Sequence, residues 1–472
     1  MAGQGVPKHQ RVQEIISTLK EDIKEQKLSS QDRVRNLEEL KVYSREAQGC
    51  ESIYTLEVTG TVSAAFKSGA GIRTLCTLGF DDTSHYETSR EALRCLANSL
   101  LLSAPSRQTL IDLGYADKAS DRLVSDKLDD EFLLGRILLL LTYAKLDIAG
   151  LVGGHDLAAN MNSAVRRHST RCSKRKESES PLDPMEELAL TEILKLMYNI
   201  THFAPDFAGL FEKSIPHIFN ILNARKLASP PLQSPVTWMI NAVANLQFAG
   251  NEHHLFPEDN PTRHISKLIE ILDGSLHKEN LELDAKHAFD DEGSVLLGVM
   301  GNMYQVATPE AKAYMRQRLL PTTEERKRPL GRGDTLSARL LNLTTEALAP
   351  KARVVTGRLL FELSDLNPGK FITNVGFGYA SGFLMSNGIP VPPEALDKTV
   401  ELNGTPINPV TGQTLEAEER DQKPLSEMTD EEKMREAEKM FVLFERLKKT
   451  GVVDVKNPVE AAIEGGRFQE MD

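Results

Sequence analysis

Five stretches of this chain repeat one phrase: an aliphatic helical run, a single polar residue, then another apolar residue. They are EALRCLANSLL around Asn98, FLLGRILLLLTYA around Thr142, EILKLMYNITHF around Asn199, VTWMINAVANLQF around Asn245 and VLLGVMGNMYQ around Asn302. The polar residues follow one another at intervals of 44, 57, 46 and 57 residues. A unit somewhat above 40 residues is too long for one ordinary helix and too short for a domain. It fits two or three helices that bury their apolar faces on the next unit, as in armadillo and HEAT repeats. Elsewhere apolar residues recur at helical spacing from about residue 10 to residue 390, and strand signals are scarce. The chain is therefore predicted to be all-α, with residues 1–390 forming an armadillo/HEAT-like superhelical solenoid.

In such a stack the innermost helix of each unit has apolar faces towards its neighbours and one narrow face towards the concave groove. A polar residue that recurs once per unit is placed to face that groove. Asn suits the role because its amide both donates to and accepts from the backbone of a bound peptide. The alternative is that each Asn satisfies a turn inside the core. Four at matching places, Asn98, Asn199, Asn245 and Asn302, favour the groove.

Short polar breaks, such as DDTSHYETS at 81–89, LASPPLQSP at 227–235 and FPEDNPT at 256–262, punctuate the helices. RRHSTRCSKRKESES, from Arg166 to Ser180, is basic, Ser-rich and nearly free of apolar residues, so about 163–183 reads as a mobile insertion. The chain as a whole carries a formal charge of -12, which repels a phosphate backbone and argues against nucleic acid as the main partner. The longest apolar run, from Phe132, contains Arg136 and falls short of the roughly 20 residues that cross a bilayer. No stable membrane insertion is expected, and the N-terminal residues carry no apolar core of signal-peptide length. The 4 cysteines lie far apart without a metal-ligand pattern, so reduced thiols, no metal and a cytoplasmic protein are expected.

After Gly388 the character changes. Residues 391–427 are rich in Pro, Gly and charge and read as an exposed polar linker. MTDEEKMREAEKMFVLFERLKKTGVV then marks an amphipathic helix over 428–450, followed by a tail over 451–472. Thr429 and Glu432 form a capping-box pattern, Lys448 and Lys449 sit in the last turn, and Gly451 stops the helix. Met434, Ala437, Met440, Phe441, Phe444 and Leu447 make one apolar stripe that must be buried, on the solenoid or on a partner.

Three phrases carry a family resemblance: LLFELSDLNPGKFITNVGFGYASGFLMSNGI from Leu359, NPVTGQ from Asn408, and the helix just described with NPVE at Asn457. They resemble the synembryn family, cytosolic exchange factors and folding chaperones for heterotrimeric G-protein α subunits, in a wording closest to fungal members. The resemblance extends from EELKVYSRE near residue 38 to NPVE. It implies a monomeric armadillo/HEAT-like solenoid whose groove holds the C-terminal helix of Gα while the segment after it reaches the nucleotide-binding domain. GDP leaves the GDP-bound Gα and the nucleotide-free form is held until GTP arrives. No covalent bond is made or broken and no cofactor is needed, because the factor binds one conformer of Gα better than another.

The resemblance also implies site residues. Family members have two arginines four residues apart on a helix, which meet the terminal carboxylate of Gα. Here LKVYSR places Lys41 and Arg45 there, and Lys41 offers a point charge rather than a fork. ALRCLAN matches a family phrase with a groove Asn at Asn98, and LMYNIT an equivalent one at Asn199. Lys351, Arg353 and Arg358 fall where the family has basic residues on a late helix that contacts Gα. Each charge has an alternative as part of a solvated face. Met440, Phe441 and Phe444 become anchors on the nucleotide-binding domain. Thr429 before Asp-Glu-Glu is a phosphorylation acceptor for an acid-directed kinase or simply an N-cap, and recruitment to the cell cortex would follow from such a partner.

Two other classes compete. An enzyme is disfavoured because the 11 His form no metal or triad pattern and no GxxxxGK loop is present, while GFGYASG at Gly376 reads as a tight inter-helix turn. A generic armadillo scaffold that binds peptides without nucleotide exchange is the alternative function. Import receptors of that class pair Trp with Asn in nearly every repeat, whereas this chain has the single Trp238.

Overall fold

A computed structural model describes residues 7–54, 70–81, 85–175, 183–277, 283–396, 400–402, 404–421 and scattered positions from 429 to 438. Its spine is a series of helices: Ser30–Tyr43, Tyr86–Leu102, Leu128–Leu141, Pro184–Phe203, Val236–Ala244, Leu283–Val306 and Pro350–Leu363. Each packs on the one before it and the one after it. Cross-helix bonds join like ends to like ends. Arg90 reaches Asp129 at 3.0 Å near two N-termini, and Asn199 Nδ2 donates to Thr142 Oγ1 at 2.8 Å near two C-termini. With the bonds of Asn98 to Ser44 and Asn245 to Thr201, these contacts make the spine helices from Ser30–Tyr43 to Val236–Ala244 parallel, with their C-terminal ends along one edge of the stack.

A second layer covers the other side. Tyr115–Arg122, Leu157–Lys174, Ile215–Ala224, Arg263–Ser275 and Pro309–Leu319 follow one another in contact. The core lies between the layers and runs the length of the stack, which is how a solenoid buries apolar surface unit by unit. The phrase around Thr142 shows the local logic. Leu134, Ile137, Leu138 and Leu141 are fully buried, while Arg136 turns outward, 5.2 Å over the Phe132 ring and 3.9 Å from Glu192. Helix starts are written locally: Pro184 follows the capping Asp183, and Thr308 accepts from Ala311 N.

Two expectations are corrected. The basic stretch taken for a mobile insertion from about 163 is helix as far as Lys174, within Leu157–Lys174, and residues 176–182 lie outside the described ones. Its few inward positions are enough: Val165, His168 and Ser169 are buried. The basic residues staple neighbouring helices. Arg167 Nη2 donates to Glu131 Oε2 at 2.9 Å, Arg171 Nη2 to Asp126 O at 3.2 Å, and Arg175 Nη2 to Glu186 Oε2 at 2.8 Å.

The polar linker of 391–427 is not simply exposed. Val400–Leu402 and Thr405–Ile407 form an antiparallel hairpin, Leu415–Asp421 is helical, and the turn between them is pinned to the end of the stack. Phe377 N and Gly378 N donate to Pro409 O and Val410 O at 2.8 and 3.2 Å. Arg326, 1% exposed, sends Nη1 to Gly412 O at 2.9 Å and Nη2 to Asn374 O at 2.6 Å. Burial pushes its pKa down to about 10. Gly376 (φ +80°) forms the turn between the helices Pro368–Val375 and Phe377–Ser386. A Cβ on it would come within 3.1 Å of Gly412 N, and one on Gly412 (φ +73°) would overlap Leu330 Cδ1. Composition suggested a linker because Pro and Gly also serve close packing.

Candidate partner-binding surface

The recurring Asn residues form a ladder along the C-terminal edge of the spine. Asn98 Nδ2 donates to Ser44 Oγ at 3.2 Å and Lys41 O at 3.4 Å, at the end of the preceding spine helix. Asn199, only 7% exposed, donates to Thr142 Oγ1, which in turn donates to Leu139 O at 2.6 Å. Asn245 Nδ2 donates to Thr201 Oγ1 at 3.2 Å and Tyr198 O at 3.4 Å, and Thr201 Oγ1 to Met197 O at 2.9 Å. Each rung satisfies groups near the end of the previous helix, where backbone carbonyls lack helical partners. Asn302 is exposed and stands outside this ladder.

Beside the rungs the same edge presents large apolar side chains to solvent. Val42, Leu101, Tyr143 and Phe203, on four successive spine units, are 55%, 54%, 57% and 51% exposed. Leu101, Tyr143 and Phe203 follow the polar residue of their phrases, Val42 stands two residues before the cap Ser44, and sequence reasoning missed all four. For the first three the trailing apolar residue of the phrase was the signal, but it reads equally well as core. Phe248, the trailing residue after Asn245, is indeed buried.

Lys41 and Asn98, 57 residues apart, meet at the first rung, and Arg45 follows in the chain. The Ser30–Tyr43 helix is capped by Ser44, so Arg45 lies just past its end, exposed, rather than one turn along the same helix from Lys41. Lys41 Nζ sits 2.6 Å from Glu91 Oε2, and Arg94 pairs with Glu91 Oε1 and, at 2.9 Å, with Asp129. A charged lattice thus crosses three spine helices.

Lys351, Arg353 and Arg358 form a separate group on Pro350–Leu363. Lys351 pairs with Asp291, which raises its pKa, and Arg358 Nε lies 2.9 Å from Glu362 Oε1. Lys351 and Arg358 are exposed with Val354 between them, and Arg353 is half-buried. Thr429 stands immediately before helical residues, and its carbonyl accepts from Lys433 N at 3.0 Å, an N-cap's place. Met440, Phe441 and Phe444 lie outside the described residues, as does the 451–472 tail.

Among the described residues no group of His, Cys, Asp and Glu could hold a metal ion, and no helix is long and apolar enough to cross a membrane. What the edge offers is a contact surface: exposed apolar anchors beside polar rungs, with cations at the first unit, while Lys351 and Arg353 lie near the opposite, N-terminal end of the last spine helix.

A helical stack presenting such an edge is a binding protein of the α-solenoid class. The family model for the guanine nucleotide exchange factor synembryn matches residues 36–467, and the chain belongs to that family. A synembryn-like chaperone of Schizosaccharomyces pombe is 27% identical over 302 residues, covering 59% of this chain and 55% of that protein. The chaperone Ric-8A of Macaca fascicularis is 24% identical over 472 residues, covering 93% and 85%. Ric-8A of Bos taurus is 24% identical over 390 residues, covering 77% and 72%.

Proposed function

We propose that this protein is a guanine nucleotide exchange factor and folding chaperone for a heterotrimeric G-protein α subunit, acting by binding alone. The observation that carries the reading is family membership across nearly the whole chain. The exposed row of Val42, Leu101, Tyr143 and Phe203 supports it, because an amphipathic helix needs such a row for its apolar face. The spine units are of the armadillo/HEAT kind, with their C-terminal edge bordering the groove. The C-terminal helix of Gα lies along that edge, its terminal carboxylate near Lys41, Arg45 and Asn98, and Lys351, Arg353 and Arg358 meet a second part of Gα.

Holding that helix away from the rest of Gα stabilises the nucleotide-free conformer relative to the GDP-bound one, so GDP leaves. The same preference shields a folding intermediate of Gα. Met440, Phe441 and Phe444 supply a further contact on the nucleotide-binding domain. The protein acts as a monomer in the cytoplasm and meets Gα at the cell cortex. Size-exclusion chromatography of the protein mixed with GDP-loaded Gα tests this: a nucleotide-free complex is expected, weakened by Arg45→Glu. Failure to isolate any complex under GDP-free conditions overturns the reading.

A further inference from the structure

Glu91 occupies an unusual place in the charged lattice, about two helical turns before the rung residue Asn98 on the same helix. Its side chain is 10% exposed and projects from Tyr86–Leu102 between two cations, Lys41 on the preceding spine helix and Arg94 one turn along its own. Each carboxylate oxygen has its own partner, Oε2 the Lys41 ammonium and Oε1 the Arg94 guanidinium. The two cations are only partly covered, with side chains 27% and 32% exposed, so both keep a face towards solvent. Behind them Asp129 takes a second nitrogen of Arg94, and Asn98 spends its amide on Lys41 O and Ser44 Oγ. Arg45 lies exposed at the same helix end.

An arriving carboxylate that seeks these cations therefore finds another carboxylate already on them. Two anions sharing a pair of partly buried cations repel each other, and the second binds more weakly than it would to the cations alone.

We propose that Glu91 is an internal competitor for the terminal carboxylate of Gα, which sets how tightly that carboxylate is held. The proposal rests on the reading above that the Gα tail ends at this rung. Glu91 keeps Lys41 and Arg94 in position in the free protein and limits what the tail gains from them. The tail is recognised through charge yet stays releasable once nucleotide returns to Gα. The determinant is a positioning residue, since it acts on the tail through Lys41 and Arg94.

The test uses the full chain, wild type and Glu91→Gln, with a synthetic peptide of the Gα C-terminal helix made as the free acid and as the C-terminal amide. Wild type is expected to prefer the acid modestly. Glu91→Gln is expected to raise the acid-to-amide affinity ratio about tenfold, the low end of couplings between close charges across an interface. A purely structural role for Glu91 would change both peptides alike and leave the ratio where it was. A ratio that is unchanged or lower in the variant, with wild type still preferring the acid, overturns the proposal and leaves the carboxylate reading standing. Equal binding of acid and amide by both proteins overturns that reading and the proposal with it. Arg94→Gln supplies a second arm: it should lower the ratio, and an undiminished ratio also counts against the proposal.

Discussion

Asn199 is the sharpest place to ask what the recurring Asn does. The structure buries it and commits its amide to Thr142 Oγ1 on the previous spine helix. Asn199→Ala removes that bond, worth about 1 kcal/mol net. It also leaves a small void, which at about 24 cal/mol per Å³ costs roughly another 0.5 to 1 kcal/mol if neighbours do not collapse. The expected loss is about 1.5 to 2 kcal/mol, felt at the interface between the second pair of phrases. Asn302→Ala, at an exposed site outside the ladder, should stay within about 0.5 kcal/mol. A stack unfolds by neighbour-coupled units, so urea titrations of wild type and both variants should be compared at the first transition rather than fitted as one step. If Asn199→Ala leaves that transition in place, or Asn302→Ala shifts it as far, the ladder does not hold the units together.

Three further outcomes are expected. His168 lies between Glu131 and Glu186 in the core of the corrected basic helix. Burial opposes its charge, yet the two carboxylates outweigh it and raise its pKa above the usual 6.5. Its contribution is thus full below 6.5 and lost as pH rises through the raised value. Burial likewise opposes charge on Glu131, but His168 and Arg167 prevail; with Glu186, held down chiefly by His168, it lies below 4.5, so those contributions fade on acidification. His168→Leu should cost about 3 kcal/mol near pH 6 and less at pH 9, and a pH-independent difference in unfolding contradicts this. Gly412→Ala should release the turn pinned to the stack, through backbone strain and a clash with Leu330 worth about 2 to 4 kcal/mol together, read as faster proteolysis after residue 396; unchanged cleavage contradicts it. Tyr143→Ala with Phe203→Ala should leave melting nearly unchanged but weaken Gα binding at least tenfold, and unaltered affinity removes the apolar row from the interface.

The spine was legible because its constraint is local and periodic. An apolar run with one polar residue, repeated at intervals of 44 to 57 residues, dictates both the helix and its burial on like neighbours. The side of the helix on which the polar residue acts was not legible. Asn199 and Asn245 bond to groups at the end of the helix before them, and only the stacking register brings Thr142 and Thr201 within reach. The same register exposes Tyr143 and Phe203 while burying Phe248, three aromatic residues that each follow the polar residue of their phrase within about one turn.

Composition misled in two places for one reason. In Leu157–Lys174 the cations were taken as signs of disorder, yet Glu131 and Glu186 on neighbouring helices give them partners that no local window contains. In the 408–413 turn, glycine and proline were taken as signs of an exposed linker, yet they let backbone pack on Gly376 and accept from buried Arg326. At the proposed binding surface, Lys41 and Asn98 were recognisable by resemblance, while the carboxylate of Glu91 between Lys41 and Arg94 became visible only in three dimensions.

Binding along this edge is proposed to loosen the guanine pocket of Gα. Release of labelled GDP from purified Gα, followed with and without this protein, measures that directly. Release is expected to accelerate with protein concentration, and Tyr143→Ala with Phe203→Ala to slow the acceleration in proportion to lost affinity. An unchanged release rate at concentrations where the two proteins demonstrably bind would contradict it and leave a peptide-binding scaffold without exchange activity.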